Sequence, residues 1–428
     1  MPIFDPRTRC SVRRTRLTEC TFALACLAGI SASAQESIRP SSTGAQAAEV
    51  RRQVTLPQNY NLKAGPVTFD ATGSIEVEFN DNIGLSENNR DSDFIFRPEV
   101  RLNSEWRVST LNTLRFSLGV GYAKYASHSK QDTRSLLFDP GSEISFNVYL
   151  GDNVRLEFHD RFAVVQNPVD EPTLSNTARF DRFQNSAGVT AFVDLNDLNL
   201  VFGYDHFDYR ALGSQFDFLD RREEQFLASA SLRFSDAVTA GVDGSFALVN
   251  YRQNFNNDGD TWSAGPFVEA AISAFTKVRV SGGYQAMNFD SGGTNGDHSD
   301  FGGWYATLAV AQRLNQYWSH SLSFGHEARL GLEVNFAEYT FARYLADWRV
   351  NSRLHAGFDA FVEDADESGS APLDPEHAFR WGTGASLSYR LGSKTSVGLR
   401  YRYVNKDSNL ALRSYYQNVG ILSLNYDF

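Results

Sequence analysis

Val67-Thr68-Phe69-Asp70-Ala71-Thr72-Gly73-Ser74-Ile75-Glu76-Val77-Glu78-Phe79-Asn80 is the stretch from which the rest of the chain can be read. Val67, Phe69, Ala71, Ile75, Val77 and Phe79 are apolar and alternate with Thr68, Asp70, Thr72, Ser74, Glu76 and Glu78. Successive side chains leave a strand on opposite sides, so a period of two over this length means a β-strand with one apolar and one polar face. Farther along, Phe94, Phe96, Val100, Leu102 and Trp106 alternate with Arg97, Glu99, Arg101, Asn103 and Glu105. Strand centres recur near Phe116, Phe146, Leu156, Val189, Leu200, Ala230, Val242, Val268, Val280, Leu308, Leu322, Ala342, Phe358, Ala385, Leu399 and Leu422. The total is about eighteen strands.

The connections have their own rhythm. Leu150-Gly151-Asp152-Asn153, Leu195-Asn196-Asp197, Ser235-Asp236 and Leu391-Gly392-Ser393-Lys394 are short. Between them come long polar stretches: Asp81 to Asp93, Gln166 to Asp181, Arg210 to Gln225, Asp290 to Gly303 and Glu363 to His377. Strict alternation of short turns and long loops belongs to outer-membrane barrels, whose short turns face the periplasm. The expected fold is therefore all-β: a transmembrane, antiparallel, up-and-down β-barrel over residues 67–428. Both termini are expected on the periplasmic side, which requires an even strand number.

All six tryptophans share the apolar parity, and each falls near a strand end. Trp106, Trp318 and Trp348 sort to the short-turn rim, and Trp262, Trp304 and Trp381 to the long-loop rim. Amphipathic rings collect at the two lipid–water boundaries, so these six are read as the aromatic girdles. The last strand places Leu422, Leu424, Tyr426 and Phe428 on one face and Ser423, Asn425 and Asp427 on the other. Leu424, Tyr426 and Phe428 are read as the signal recognised by the barrel-assembly machinery. The closing strand must pair with the first, because an open edge in lipid would strand N–H and C=O groups.

At the other end, Arg7, Arg9, Arg13, Arg14 and Arg16 precede an apolar run from Thr21 to Ile30 and the small residues Ala32-Ser33-Ala34. That order is a secretory signal cleaved after Ala34, giving a signal peptide over residues 1–34. The run is too short to span a bilayer, which needs about 20 apolar residues. A lipoprotein reading through Cys26 is disfavoured, since Ala23-Leu24-Ala25 lacks a large apolar residue three positions before the cysteine. Residues 35–66, rich in small and polar residues, read as a periplasmic extension with a short helix at Ala47 to Gln53.

Cys10, Cys20 and Cys26 all lie within the signal, so no disulfide is expected in the mature chain. Loss of the signal leaves 35 basic and 49 acidic residues and no long basic run, so no nucleic-acid partner is expected. Beyond the signal no apolar run is long enough for a transmembrane helix, yet the chain holds 33 Phe and 18 Tyr. Abundant aromatics with negative mean hydropathy suit a sheet between two different solvents.

Glu78-Phe79-Asn80-Asp81-Asn82-Ile83, leading through a polar loop to Asp93-Phe94-Ile95-Phe96-Arg97-Pro98, resembles the first hairpin of the putative β-barrel porin-2 family. The resemblance implies an outer-membrane barrel with a link to envelope exopolysaccharide export. The strand count is also similar to that of sugar-selective porins and the alginate exporter.

A barrel of about eighteen strands is too wide to be filled by its own wall side chains and usually leaves an aqueous channel. The polar parity of the last third collects Arg343, Arg349, Arg380, Arg390, Arg400 and Arg402. Across the closure seam it collects Asp70, Glu76 and Glu78 on the first strand and Arg97, Glu99 and Arg101 on the second. These residues are expected to line a pore that orients polar solutes, to brace the wall as cross-strand ion pairs, or both.

No enzyme is expected. The eight histidines are dispersed: His159 and Asp160 point to opposite faces of one strand, and His320 and His326 share the apolar parity. Asp258 with Asp260, or Asp364 with Asp366, could hold Ca²⁺ but match no complete metal loop. They read more readily as solvated loops or divalent bridges to lipopolysaccharide. No cofactor or metal is expected. The functional expectation is an outer-membrane channel passing small polar or saccharide solutes, with outer-membrane lipid, lipopolysaccharide and the assembly machinery as partners. The alternative is a structural or surface-interaction barrel whose loops fold inward and occlude the lumen.

Overall fold

A computed structural model of the chain describes Thr43 and residues 60–369 and 374–428. The expected signal peptide, most of the expected extension and the Ala47–Gln53 helix lie outside the described residues. Among those described there is no α-helix, only short 3-10 turns at Ser129–Gln131, Pro168–Asp170 and Ser214–Leu219.

The strands in order are β1 (Leu62–Ala64), β2 (Val67–Asn80), β3 (Asp93–Arg107), β4 (Thr113–Gly121), β5 (Lys124–Tyr125), β6 (Leu137–Leu150), β7 (Val154–Val165), β8 (Arg182–Leu195), β9 (Leu198–Ala211) and β10 (Arg221–Ser235). They continue as β11 (Val238–Tyr251), β12 (Gly259–Ser273), β13 (Thr276–Phe289), β14 (Phe301–Arg313), β15 (Trp318–Leu330), β16 (Phe336–Arg349), β17 (Leu354–Glu367), β18 (His377–Arg390), β19 (Thr395–Ser408) and β20 (Tyr415–Asp427). β1 is a short hairpin on the start of β2, and β5 resumes the line of β4 beside β3. The other 18 strands form the wall, each antiparallel to its neighbours in the chain. β20 pairs with β2 through Ile75↔Leu424 and Val77↔Leu422, which closes the barrel. The last step of closure is the Phe428 N–H donating to Ala71 O at 3.1 Å.

The face that alternation marked as apolar is the outer one. Ile75, Val77, Phe79, Phe94, Phe96, Val242, Leu322 and Leu399 are all exposed, the reverse of a soluble protein. A bilayer satisfies that band, while closure leaves the sheet without an open edge against lipid. Asn196 and Gly151 take the left-handed backbone that the tight turns after β8 and β6 require.

Most strands run to 13–15 residues, more than the 9–11 or so a tilted strand needs to cross a bilayer. The excess lies at the long-loop rim, where outward positions turn polar. Tyr204 Oη donates to Glu224 at 2.6 Å, and His206 Nδ1 lies 2.8 Å from the same carboxylate. Ladder pairing therefore continues into stretches expected as loops: β10 begins at Arg221 and β17 runs to Glu367. At the same rim residues 331–335 connect β15 and β16 in five residues, so the expected alternation of short turns and long loops is not strict. Polar side chains do not end a strand when water, not lipid, covers it.

Candidate functional site

On β2, Asp70, Glu76 and Glu78 face inward, as do Arg97, Glu99 and Arg101 on β3, since their outward neighbours Val77, Phe79, Phe96 and Val100 are exposed. The same parity places Arg343 and Arg349 on β16, Arg380 and Arg390 on β18, and Arg400 and Arg402 on β19 on the inner face. Arg349 and Arg390 stand exposed at the short-turn rim. The pairing is mostly with near neighbours on the wall. Arg97 Nε lies 2.8 Å from Glu78 Oε2, Arg101 bridges Glu99 and Asp139, and Arg380 Nη2 lies 2.6 Å from Glu363 Oε2. Arg380 thus meets an acid of β17 and not the acids across the seam.

Some partners straddle a strand. His159 of β7 reaches Asp205 of β9 at 2.6 Å, with Gly188 of β8 opposite both in the register. A Cβ at Gly188 would sit 2.6 Å from Asp205 Oδ1, so only glycine leaves room for the crossing. Gly384 does the same on β18, between Asp359 of β17 and Arg402 of β19, where a Cβ would sit 2.3 Å from Asp359 Oδ1. Asp359 interacts with Arg402 and Arg400 together. Arg343, Arg400 and Arg402 are half-buried on the inner wall; Arg343 acts on Glu363 of β17, while Arg400 and Arg402 act on Asp359.

The loops at the long-loop rim turn inward. Residues 166–181, between β7 and β8, are held at their neck by Arg182, whose Nη1 donates to Asn167 O and Phe180 O. Their tip is held by a distant sector of wall. Arg380 Nη1 donates to Val169 O, Lys406 Nζ to Ser175 Oγ at 3.0 Å, and Asn176 Nδ2 to Leu412 O at 2.8 Å. Val169 packs with Leu85, Val404 and Tyr415, while Leu174 and Phe180 join Phe207, Tyr209 and Leu219. Lys406 also lies 2.9 Å from the fully buried Glu376, which takes Arg413 at 3.0 Å as well.

A second knot ties the loops after β13 and β15. Asp297 accepts from the Asn335 N–H at 2.9 Å, the Ser299 N–H at 2.9 Å and Ser368 Oγ at 2.5 Å. Burial pushes the Asp297 carboxyl up, but these donors outweigh it and hold it below the usual aspartate range. Ahead of the barrel, Thr43 is buried, and its Oγ1 donates to Glu327 Oε2 at 3.2 Å.

His159–Asp205, Asp359, Glu363, Lys406–Glu376 and the loop anchors do not follow from strand parity alone. The mid-strand glycines at 188 and 384 are the signal that could have found the crossings, because glycine is costly inside a strand unless something must come close.

All six tryptophans are on the outer face, in the three-and-three division. Trp318 and Trp348 pair across strands at 6.0 Å between ring centroids. At the opposite rim Trp304 stacks on His326 at 4.0 Å, Trp262 meets Tyr284 at 5.5 Å and Trp381 meets Tyr403 at 5.2 Å. Leu424, Tyr426 and Phe428 are exposed on the same face, with the last two rings edge-to-face at 5.2 Å.

Residues 60–295 match the family described as "Putative beta-barrel porin 2". Among solved structures, the chain is similar to OccK2 (OpdF) of Pseudomonas aeruginosa, with 11% identity and a TM-score of 0.50 over 85% of this chain and 98% of that one. It is equally similar to a BenF-like porin from Pseudomonas fluorescens Pf-5, with 9% identity and a TM-score of 0.50 over 85% and 99%. At such identities the likeness is one of fold. No curated protein matches the chain.

Proposed function

The chain belongs to the putative beta-barrel porin 2 family and is an outer-membrane protein of porin-like channel fold; from that premise we propose that it passes small polar solutes of the saccharide class. Its short-turn rim, with Tyr60 and Phe428, faces the periplasm, and its long loops face outward. A family and fold of channels give no reason to invoke catalysis. The link to exopolysaccharide export is part of this proposal and rests on the family resemblance of the Glu78–Pro98 hairpin.

The observation that carries the reading is the half-buried pair Arg400 and Arg402 beside Asp359 on the inner wall. Guanidinium forks beside a carboxylate offer a hydroxylated solute donors and acceptors in fixed directions. Clustered guanidinium groups on the inner wall favour anionic solutes or the anionic ends of larger ones. The test is conductance in a planar bilayer. Replacing Arg400 and Arg402 together by alanine should move the reversal potential toward cation preference at 0.1 M salt. The shift should fade at 1 M, because the Debye length falls from about 10 Å to about 3 Å. An unchanged reversal potential at low salt would remove the arginines from the conduction path.

A specific observation favours the second reading, an occluded lumen. Thr43 lies against the inner wall at Glu327, and residues 166–181 cross from one sector of wall to another. A variant lacking residues 35–59 should conduct more than the intact protein if the extension closes the lumen, and equally if it does not.

A further inference from the structure

On the outer face of β17 and β18 lies a set of side chains that neither the inner wall nor the loops use. Val362 and Trp381 are cross-strand partners at the level of the tryptophans. Toward the long loops, Asp364 comes next on β17 opposite Phe379, and then Asp366 opposite His377. At about 3.3 Å per residue these two carboxylates stand roughly 7 and 13 Å along the strand beyond Trp381. Asp364, Asp366 and His377 are 42%, 60% and 51% exposed in their side chains, so they are open to the outside and not sealed among neighbours. His377 Nδ1 lies 2.6 Å from Asp366 Oδ1 and Nε2 lies 3.6 Å from Asp364 Oδ1. One donor atom from each of the three residues lies within 4.8 Å of the others.

We propose that Asp364, Asp366 and His377 form a three-ligand site for a divalent transition ion of the Zn²⁺ class on the outer wall, above the tryptophan level. Two carboxylates alone would suit Ca²⁺ or Mg²⁺, which prefer all-oxygen shells. The imidazole from the neighbouring strand changes that preference, because nitrogen with carboxylate oxygen favours Zn²⁺, Ni²⁺ or Cu²⁺. The two carboxylate charges match one divalent ion. Tetrahedral Zn²⁺ with bonds near 2.0 Å needs its ligand atoms about 3.4 Å apart. One nitrogen of His377 and one oxygen from each aspartate, all within 4.8 Å of one another, therefore stand within about 1.4 Å of that spacing, a distance that exposed side chains cover by small rotations.

The backbone beneath is stiff: Asp366 and His377 are ladder partners, and the His377 N–H donates to Asn409 Oδ1 at 2.8 Å. Three protein ligands leave at least one coordination position open, and it faces away from the wall. A phosphate oxygen of an outer-leaflet glycolipid, or water, fits there. The competing arrangement is a histidine that only pairs with its two aspartates and binds no ion.

The experiment is titration of the purified, folded, full-length protein in detergent with Zn²⁺, followed by calorimetry, and with Co²⁺, followed by visible absorption. One saturable Zn²⁺ site is expected, with Co²⁺ bands of low-coordinate geometry that Zn²⁺ abolishes. His377→Ala and Asp364→Asn should each weaken Zn²⁺ binding at least tenfold while heat-modifiable gel mobility, the sign of a folded barrel, stays as in the wild type. The proposal is overturned if the wild type binds no Zn²⁺ saturably, if either variant binds it as well as the wild type, or if Ca²⁺ competes on equal terms.

Discussion

Arg380 is the side chain on which the inner wall and the inward loop both depend, and replacing it by alanine should show this quantitatively. The residue is 6% exposed, and its guanidinium lies 2.6 Å from Glu363 Oε2 and donates to Val169 O in residues 166–181. Glu363 is itself 2% exposed, so Arg380→Ala leaves a buried carboxylate without its partner. Breaking a buried pair from one side typically costs about 3–5 kcal/mol. Arg343 and Arg329 also act on Glu363, which places the expected loss near the lower end, about 3 kcal/mol, or roughly a hundredfold in the folding equilibrium.

Glu363→Ala should cost a similar amount for the mirror reason. The double variant should cost less than the sum by about 2 kcal/mol, because removing both charges leaves neither stranded. The assay is urea unfolding in detergent, followed by tryptophan fluorescence. The same variant should expose residues 166–181 to protease, since the anchor at Val169 is gone. A single variant within about 0.5 kcal/mol of the wild type, or strictly additive losses in the double variant, would refute the reasoning.

Three other outcomes are expected. A protease-cleavable tag within residues 290–300 should be cut on intact cells and one at Gly392–Ser393 protected; the opposite result would invert the barrel. Deleting Phe428 removes the N–H that donates to Ala71 O and the last exposed ring of β20, and should lower the amount of heat-modifiable protein in the outer membrane; normal levels would show that this residue is dispensable for assembly. Asp297, whose folded pKa is depressed, contributes stability that is full above the unfolded value of about 3.9 and is lost as pH falls through the lower folded value. Loop protection from hydrogen exchange should therefore hold down to about pH 4 and fail below it, whereas Asp297→Asn should lose it already at neutral pH.

Strand content and facing were legible in the residues because parity is a local property. Each inward or outward assignment needs only the neighbours on its own strand, as Val77–Glu78–Phe79 or Leu399–Arg400–Tyr401 shows. The number of wall strands follows by repetition. The division of the six tryptophans into two rims follows from strand direction, which reverses at every connection. Strand ends were less legible: Asp364 and Asp366 read as loop residues, yet they continue β17, because a strand beyond the lipid keeps its hydrogen bonds while its outward side chains turn polar.

The register around the barrel, and therefore the partners, belonged to the tertiary structure. His159 finds Asp205 two strands away and 46 residues on, over Gly188, and nothing on β7 itself specifies that distance. Arg380 meets Val169 across 211 residues, and Lys406 meets Ser175 across 231, because residues 166–181 fold back into the barrel. Alternation of apolar and polar side chains determined the strands, their faces and the closed wall between two solvents, since each residue carries that signal alone. Which charges meet, which loop crosses the mouth and which aspartates join His377 were decided only when the barrel closed, because those contacts depend on the stagger between strands and on loop paths that no periodicity records.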